Sequence, residues 1–158
     1  MSDQQTFLTA AALRKLEDEL EQLKTAGRRE VEERIAEARS HGDLRENADY
    51  DAAKNDQGLM EARIRKLEHL VSTAEVREVV NTGKVEVGTV VTVVDSDGDE
   101  LEYFVAPQEN KAPGLLLASP TSPLGAALIG AIAGDDVSYE APAGTFTVKV
   151  KAIRPYSG

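Results

Sequence analysis

Asp43 and Glu46 lie three residues apart in the run His41-Gly42-Asp43-Leu44-Arg45-Glu46-Asn47-Ala48-Asp49-Tyr50. Two kinds of chemistry suit that spacing. Asp-x-x-Glu is the pattern of a capping box, in which the first side chain accepts from an amide at a helix start and the second reaches back. Asn47 is an equally good cap, and in that case Asp43 and Glu46 stay free in the turn. The same two carboxylates can instead converge on one hard divalent cation such as Mg²⁺. Proteins hold Mg²⁺ with one or two carboxylates while water or phosphate completes the octahedron. Two carboxylates alone make a weak site, so this one would work only where a partner supplies further ligands. Arg39 and Lys54 flank the run on either side, and Arg45 lies within it. Together they could form a local positive patch suited to a single-stranded RNA end.

Other candidates carry less. Asp95, Asp97 and Asp99 surround Gly98, but the twelfth position of a calcium loop, where an EF-hand carries Glu, is Ala106 here. That segment reads as a solvated hairpin turn. His69 falls beside a Leu67/Leu70 ridge and reads as a surface residue; His41 is of interest only for its place near the run above. The chain has no Cys, which removes disulfides, thiol nucleophiles and Cys-ligated zinc. No nucleophile motif and no phosphate-cradling Gly loop occurs. Neither half therefore reads as a self-sufficient enzyme. With Lys+Arg at 18 and Asp+Glu at 28 the formal net charge is −10, and such a chain does not coat duplex DNA by bulk electrostatics. No apolar run approaches the roughly 20 residues that span a bilayer. Met1-Ser2-Asp3-Gln4-Gln5 lacks a basic, apolar leader pattern. A soluble cytoplasmic protein is expected.

The elements that must position these residues fall into two kinds. Before about residue 80 charge is dense and Gly is rare; afterwards Val, Gly, Pro and Thr dominate. Thr9 can cap a first helix, with Leu8 and Leu13 as a hydrophobic staple. Leu13, Leu16, Leu20 and Leu23 form a coiled-coil seam whose phase slips near Gly27 and resumes at Val31, Ile35 and Ala38. From Thr9 to Ser40 such a helix is roughly 45 Å long at about 1.5 Å per residue. His41-Gly42 ends it, because Gly suits the left-handed position after a helix. A second helix carries Met60, Ile64, Leu67, Val71 and Ala74, with Ala53 and Gln57 upstream. Two seams joined by a short break predict an antiparallel hairpin over residues 1–80 whose acidic tip, 41–50, projects from the rest. The basic residues along it are expected to pair with Glu on the same helix.

Residues 81–158 read as a small β-rich domain. Strands are expected over Val85–Val94 and Leu101–Ala106 around the Asp-rich turn, and over Val137–Tyr139 and Phe146–Ile153 around Ala141-Pro142-Ala143-Gly144. Ser122-Pro123 opens a short helix as cap and first residue, and Gly130 stops it.

The run EARSHGDLRENADYDAAKNDQG (37–58) resembles the tip of the bacterial Gre transcript cleavage factors, of the GreA type. EARIRKLEHL (61–70) is similar to that family's second helix. SPLGAALIG (122–130), with GDDV and APAG after it, resembles its C-terminal signature. The resemblance covers essentially the whole chain in order. It departs at Ala131-Ile132-Ala133, where the family often carries Lys. The resemblance implies an α+β fold, an antiparallel coiled coil followed by an FKBP-like domain. It implies a monomer that binds RNA polymerase at the secondary channel, with Ser122, Pro123, Leu124 and Gly125 in the polymerase-binding signature. Asp43 and Glu46 match the two acids that help hold a second Mg²⁺ in the polymerase active centre, which then hydrolyses backtracked RNA. Arg39 and Lys54 match the basic patch that holds the nascent RNA 3′ end. A related alternative is a secondary-channel binder that regulates polymerase without stimulating cleavage. Such relatives tend to lose or replace the tip acids, and both are intact here. A coiled-coil dimerisation protein without a polymerase partner would leave the tip composition arbitrary.

Overall fold

The computed structural model describes residues 5–42 and 47–157. It has the expected α+β architecture, helices first and a sheet afterwards. The chain divides into two compact units. One is Leu13–Thr73; the other is the chain from Ala74 onward together with the segment before Leu13.

The first unit is an antiparallel pair of helical arms. Helix α1 spans Ala10–Gln22, a π-helical turn follows at Leu23–Gly27, and α2 continues over Arg28–Ser40. Thr9 is the cap that the sequence suggested, its Oγ1 accepting from the Ala12 amide at 3.0 Å. The π turn explains the slipped seam. From Leu23 to Val31 the spacing is 31 − 23 = 8 residues, one more than a heptad. The Arg28 amide bonds back to the Leu23 carbonyl, five residues away, so the extra residue is absorbed without breaking the helix. Helix α3 spans Ala48–Ser72 and packs against α2 and the π turn. Val31, Ile35 and Ala53 form a buried cluster with Tyr50 and Met60 against it. Farther along, Leu16, Ile64, Leu67 and Leu70 are buried. Fully burying each Leu or Ile contributes roughly 1.5–3 kcal/mol, so this seam is what holds the arms together.

Two expectations for these arms are corrected. The helix does not reach Ala74: it ends at Ser72, and Ala74–Glu75 is a short strand, β2. β2 pairs in parallel with β1, Thr6–Phe7. Among the described residues, the ion pairs of these arms also cross from arm to arm. Arg28 grips Glu61 with two hydrogen bonds of 2.9 and 3.0 Å, and Arg63 grips Glu19 with two of 2.9 Å. Lys24 reaches Glu68 and Arg34 reaches Asp56. A planar guanidinium matches a carboxylate with two parallel hydrogen bonds, the geometry that Arg28 and Arg63 both adopt.

In the second unit a five-stranded sheet has the order β5-β4-β3-β7-β6. Its strands are β3 (Thr89–Val94), β4 (Glu100–Val105), β5 (Leu116–Ala118), β6 (Asp136–Ala141) and β7 (Gly144–Pro155). All neighbours are antiparallel except β4 and β5. The expected first strand is shorter than Val85–Val94. Val85 exchanges backbone hydrogen bonds with Gly130 and Ala131, so the chain joins the sheet only at Thr89. The central strand β3 reads as an unbroken Thr-Val-Val-Thr-Val-Val because both of its faces are covered. Val91 and Val93 enter one cluster with Val105, Leu128, Val148 and Val150, while Val90 enters another with Phe7, Phe104 and Ala106. Buried Asn110 ties the N-terminal segment to this unit: its Nδ2 donates to the Phe7 carbonyl and its Oδ1 accepts from the Thr9 amide, both at 2.8 Å.

Helix α4, Pro123–Leu128, is opened by Ser122, whose Oγ accepts from the Gly125 amide at 3.1 Å. The Asp95–Asp99 turn is a hairpin bend, with Asp95 Oδ1 accepting from the Asp97 and Asp99 amides at 2.9 Å each. That occupies the carboxylate with backbone and supports the turn over the calcium-loop reading.

Candidate functional site

The end of the helical hairpin is built by two helix termini that face one another. α2 closes with His41 and Gly42, whose amides donate to the Ala38 and Arg39 carbonyls. Gly42 has φ of +103°, a conformation that other residues adopt only with strain. α3 opens with Asn47, whose Oδ1 accepts from the Tyr50 amide at 3.0 Å. Of the two caps that the sequence allowed, Asn47 is therefore the one α3 uses. Asp49 and Asp51 stand in the first turn of α3 and Arg39 in the last turn of α2, each matched to the partial charge of its helix end. Asp43 and Glu46, the two proposed metal ligands, lie outside the described residues, as does Arg45. Among the described residues no cluster of three or more His, Asp or Glu side chains could hold a metal ion.

The two basic residues assigned to RNA are both exposed. The Arg39 guanidinium lies over the Tyr50 ring, 5.7 Å from its centroid, a cation–π distance. Tyr50 is itself seated against the buried Val31, Ile35 and Ala53 cluster, so Arg39 rests on a fixed platform. Lys54 Nζ donates to Gln57 Oε1 at 3.0 Å. Among the described residues neither cation is paired with a carboxylate, unlike Arg34, which is held by Asp56 at 3.0 Å. Tyr50, which seats Arg39, is the residue of this end that periodicity passed over. Its signal was an aromatic in the first turn after the cap, in a chain with 4% aromatics.

Arg34, Glu37, Ala38, His41, Asp49 and Ala52 line an open cleft of about 220 Å³ beside the tip. Farther down the arms, the guanidinium of Arg63 holds the Glu19 carboxyl below its ordinary value, and that of Arg28 does the same for Glu61.

In the second unit the Ser122–Gly125 segment is committed largely to its own loop. Ser122 Oγ donates to the Ser119 carbonyl at 2.6 Å, and Leu124 packs on the core. A Cβ on Gly125 would lie 1.9 Å from the Ser119 oxygen, so only glycine fits. Pro123 is exposed, as are Ile129 and Ile132 just beyond the helix.

Comparison with known proteins places this geometry. The family model described as transcription elongation factor, N-terminal, matches residues 6–76. The one described as transcription elongation factor, GreA/GreB, C-terminal, matches residues 80–155. Transcription elongation factor GreA of Thermoanaerobacter pseudethanolicus is 44% identical over 151 residues, covering 94% of this chain and 96% of that protein. The GreA of Acetivibrio thermocellus is 42% identical over 156 residues, covering 97% and 98%. A solved structure of GreA factor homolog 1 from Thermus thermophilus is 29% identical and covers 96% of this chain and 99% of that one, at a TM-score of 0.45. With both family models matched in sequence order, the chain belongs to the GreA/GreB family of transcription elongation factors.

Proposed function

We propose that this protein binds RNA polymerase as a monomer and stimulates hydrolysis of backtracked nascent RNA by the polymerase's own active centre. The helical hairpin would enter the secondary channel, and Asp43 and Glu46 would act there as shared Mg²⁺ ligands. Their donor chemistry suits that ion, because carboxylate oxygens are hard ligands and Mg²⁺ keeps several positions for water or phosphate. When bound, the ion would stabilise the attacking and leaving oxygens of the phosphodiester. The chain's own contribution is to deliver the two carboxylates and to hold the extruded RNA. Arg39 on its Tyr50 platform and Lys54, neither paired with a carboxylate among the described residues, would present their charge to the RNA phosphates at the same end of the hairpin. Ser122-Pro123-Leu124-Gly125 and the exposed residues beside it would contribute to the polymerase contact. No described helix is long and apolar enough to cross a membrane, and we place the protein in the cytoplasm with the transcription machinery.

The single observation that carries this reading is the hairpin end itself. α3 is capped by Asn47 and needs neither Asp43 nor Glu46 for its start. Two carboxylates not needed as that cap, at the junction of two helical arms in a GreA/GreB-family chain, call for a role outside helix capping. The test is a stalled, backtracked polymerase complex incubated with and without the protein. RNA shortening with release of 3′ fragments is expected only with the protein. Polymerase binding without any shortening would support the regulatory alternative.

A further inference from the structure

Asn47 does more than begin a helix. While its Oδ1 accepts from the Tyr50 amide on α3, its Nδ2 donates to the Ala38 carbonyl on α2. One side-chain amide therefore bridges the end of one arm and the start of the other. The orientation is dictated by its partners: turning the amide over would set oxygen against the Ala38 carbonyl and NH₂ against the Tyr50 N–H. The Ala38 carbonyl also receives the His41 amide at 3.3 Å, so the bridge adds to the end of α2 at its last hydrogen-bonded turn. On the other side the Asn47 carbonyl accepts from the Asp51 amide at 3.1 Å, locking the residue into α3 by backbone as well. Below the bridge Ala38 is buried, and Tyr50 packs on Val31, Ile35 and Ala53. Asn47, just after the segment that carries Asp43 and Glu46, is thus pinned to the last turns of α2, just before it. A cap alone needs only the acceptor oxygen; Ser or Asp would serve equally well. The donor half of the amide has no part in capping α3.

We propose that Asn47 is a positioning residue for transcript cleavage: its Nδ2–Ala38 bond fixes the separation of α2 and α3 where the acidic segment leaves and rejoins the hairpin. This rests on the reading of Asp43 and Glu46 as metal ligands. Shared ligands must meet a metal held by another protein, so an error in where their segment is anchored passes directly to the reacting atoms. A misplacement of about 1 Å can cost on the order of a hundredfold in rate.

The test uses variants that separate the two halves of the amide. Asn47→Ser and Asn47→Asp keep an α3 cap and lose the donor to Ala38; Asn47→Ala loses both. The chain has no Cys, so spin labels can be placed at Ala36→Cys and Asn55→Cys, one exposed site on each arm. Pulsed electron resonance on the full chain is expected to give a narrow distance distribution for the parent and a broadened or shifted one for both capping variants. Cleavage in backtracked complexes at saturating protein should fall by roughly 10–100-fold in both, with affinity for polymerase unchanged. Cleavage should also require more Mg²⁺ for its half-maximum. Parent-like cleavage by Asn47→Ser and Asn47→Asp, with only Asn47→Ala impaired, would reduce Asn47 to a cap and overturn the proposal. An unchanged distance distribution would overturn it as well. Asp43→Asn with Glu46→Gln runs alongside: parent-like cleavage by that pair would sink the metal-ligand reading, whereas its failure to cleave beside active Asn47→Ser would sink only the positioning role.

Discussion

At the scale of single residues, the short polar side chains of this protein divide between those consumed by the fold and those left for a ligand. Ser122, Asn110 and Asp95 belong to the first group, since every one is held by backbone groups of its own unit. Gly125 is the extreme case. Gly125→Ala would drive a methyl group to 1.9 Å from the Ser119 oxygen, a backbone atom that cannot rotate away. A loss of roughly 1–3 kcal/mol or more is expected from such overpacking, visible as a lowered thermal midpoint. Asp43 and Glu46, which the cap of α3 does not use, are the ones proposed for the second group. Asp43→Asn with Glu46→Gln is expected to abolish stimulated cleavage while leaving the thermal midpoint and polymerase affinity close to the parent's. A drop of the size that follows the loss of a helix cap, about 0.5–2 kcal/mol, would return the two carboxylates to a structural role. The Asp-x-x-Glu spacing was legible in the sequence, but its meaning was not. Spacing fits a capping box and a metal pair alike, and the observed start of α3 at Ala48, capped by Asn47, bears on the capping box alone.

Among the elements, what could be read in advance was whatever repeats. The helical seams, the Ser122-Pro123 helix start and the Asp-rich hairpin turn all follow from local period or local turn chemistry. The features that escaped depend on partners distant in sequence. β1 and β2 are two residues each, too short to show alternation, and they exist because Thr6 meets Ala74 and Phe7 meets Glu75. β5 is three residues that pair in parallel with β4. The π turn showed only as a slipped phase, since nothing in Leu23–Gly27 marks the hydrogen-bond shift itself. The arm-to-arm ion pairs were equally hidden, because Arg28 has Glu32 and Arg34 has Glu30 and Glu37 three or four residues away, as well as a carboxylate across. Those pairs carry a pH signature. Glu19 and Glu61 both have their carboxyl groups held below the ordinary value of 4.5, chiefly by hydrogen bonds from Arg63 and Arg28. Below 4.5 the unfolded chain takes up protons that the folded one still excludes. Their stabilising contribution is thus complete above that pH and is lost as pH falls through the depressed folded values. Helical circular dichroism during acid titration should show the arms weakening in that window. Arg28→Met with Arg63→Met should flatten the response there. Equal acid sensitivity in parent and variant would mean that the pairs are too solvent-screened to matter.

For the whole molecule the governing quantity is charge, and it opposes the function proposed here. A chain with a formal net charge of −10 repels RNA at long range, so any attraction must be local. Arg39 and Lys54 meet that requirement because both are exposed and neither is neutralised by a carboxylate among the described residues. Their reach is limited to about 8–10 Å by screening near physiological salt. A long extruded RNA 3′ segment brings several phosphates within that distance, whereas an overhang of one nucleotide barely passes the catalytic metal. Arg39→Glu with Lys54→Glu should therefore slow cleavage of deeply backtracked complexes much more than of shallow ones. The difference should shrink as salt rises, because releasing counterions into a more concentrated salt solution gains less free energy. Tyr50→Leu offers a milder version of the same test. It keeps the charge of Arg39 but removes the ring beneath it, an interaction that contributes on the order of 0.5–1 kcal/mol at an exposed site. Deep complexes should then lose a few-fold in rate at low salt while shallow ones stay near the parent. Cleavage rates against backtrack length, at two salt concentrations, decide the matter. If the charge reversal slows every complex equally, the two residues serve the polymerase contact or the hairpin. RNA would then have to be held against the chain's net repulsion by the polymerase alone.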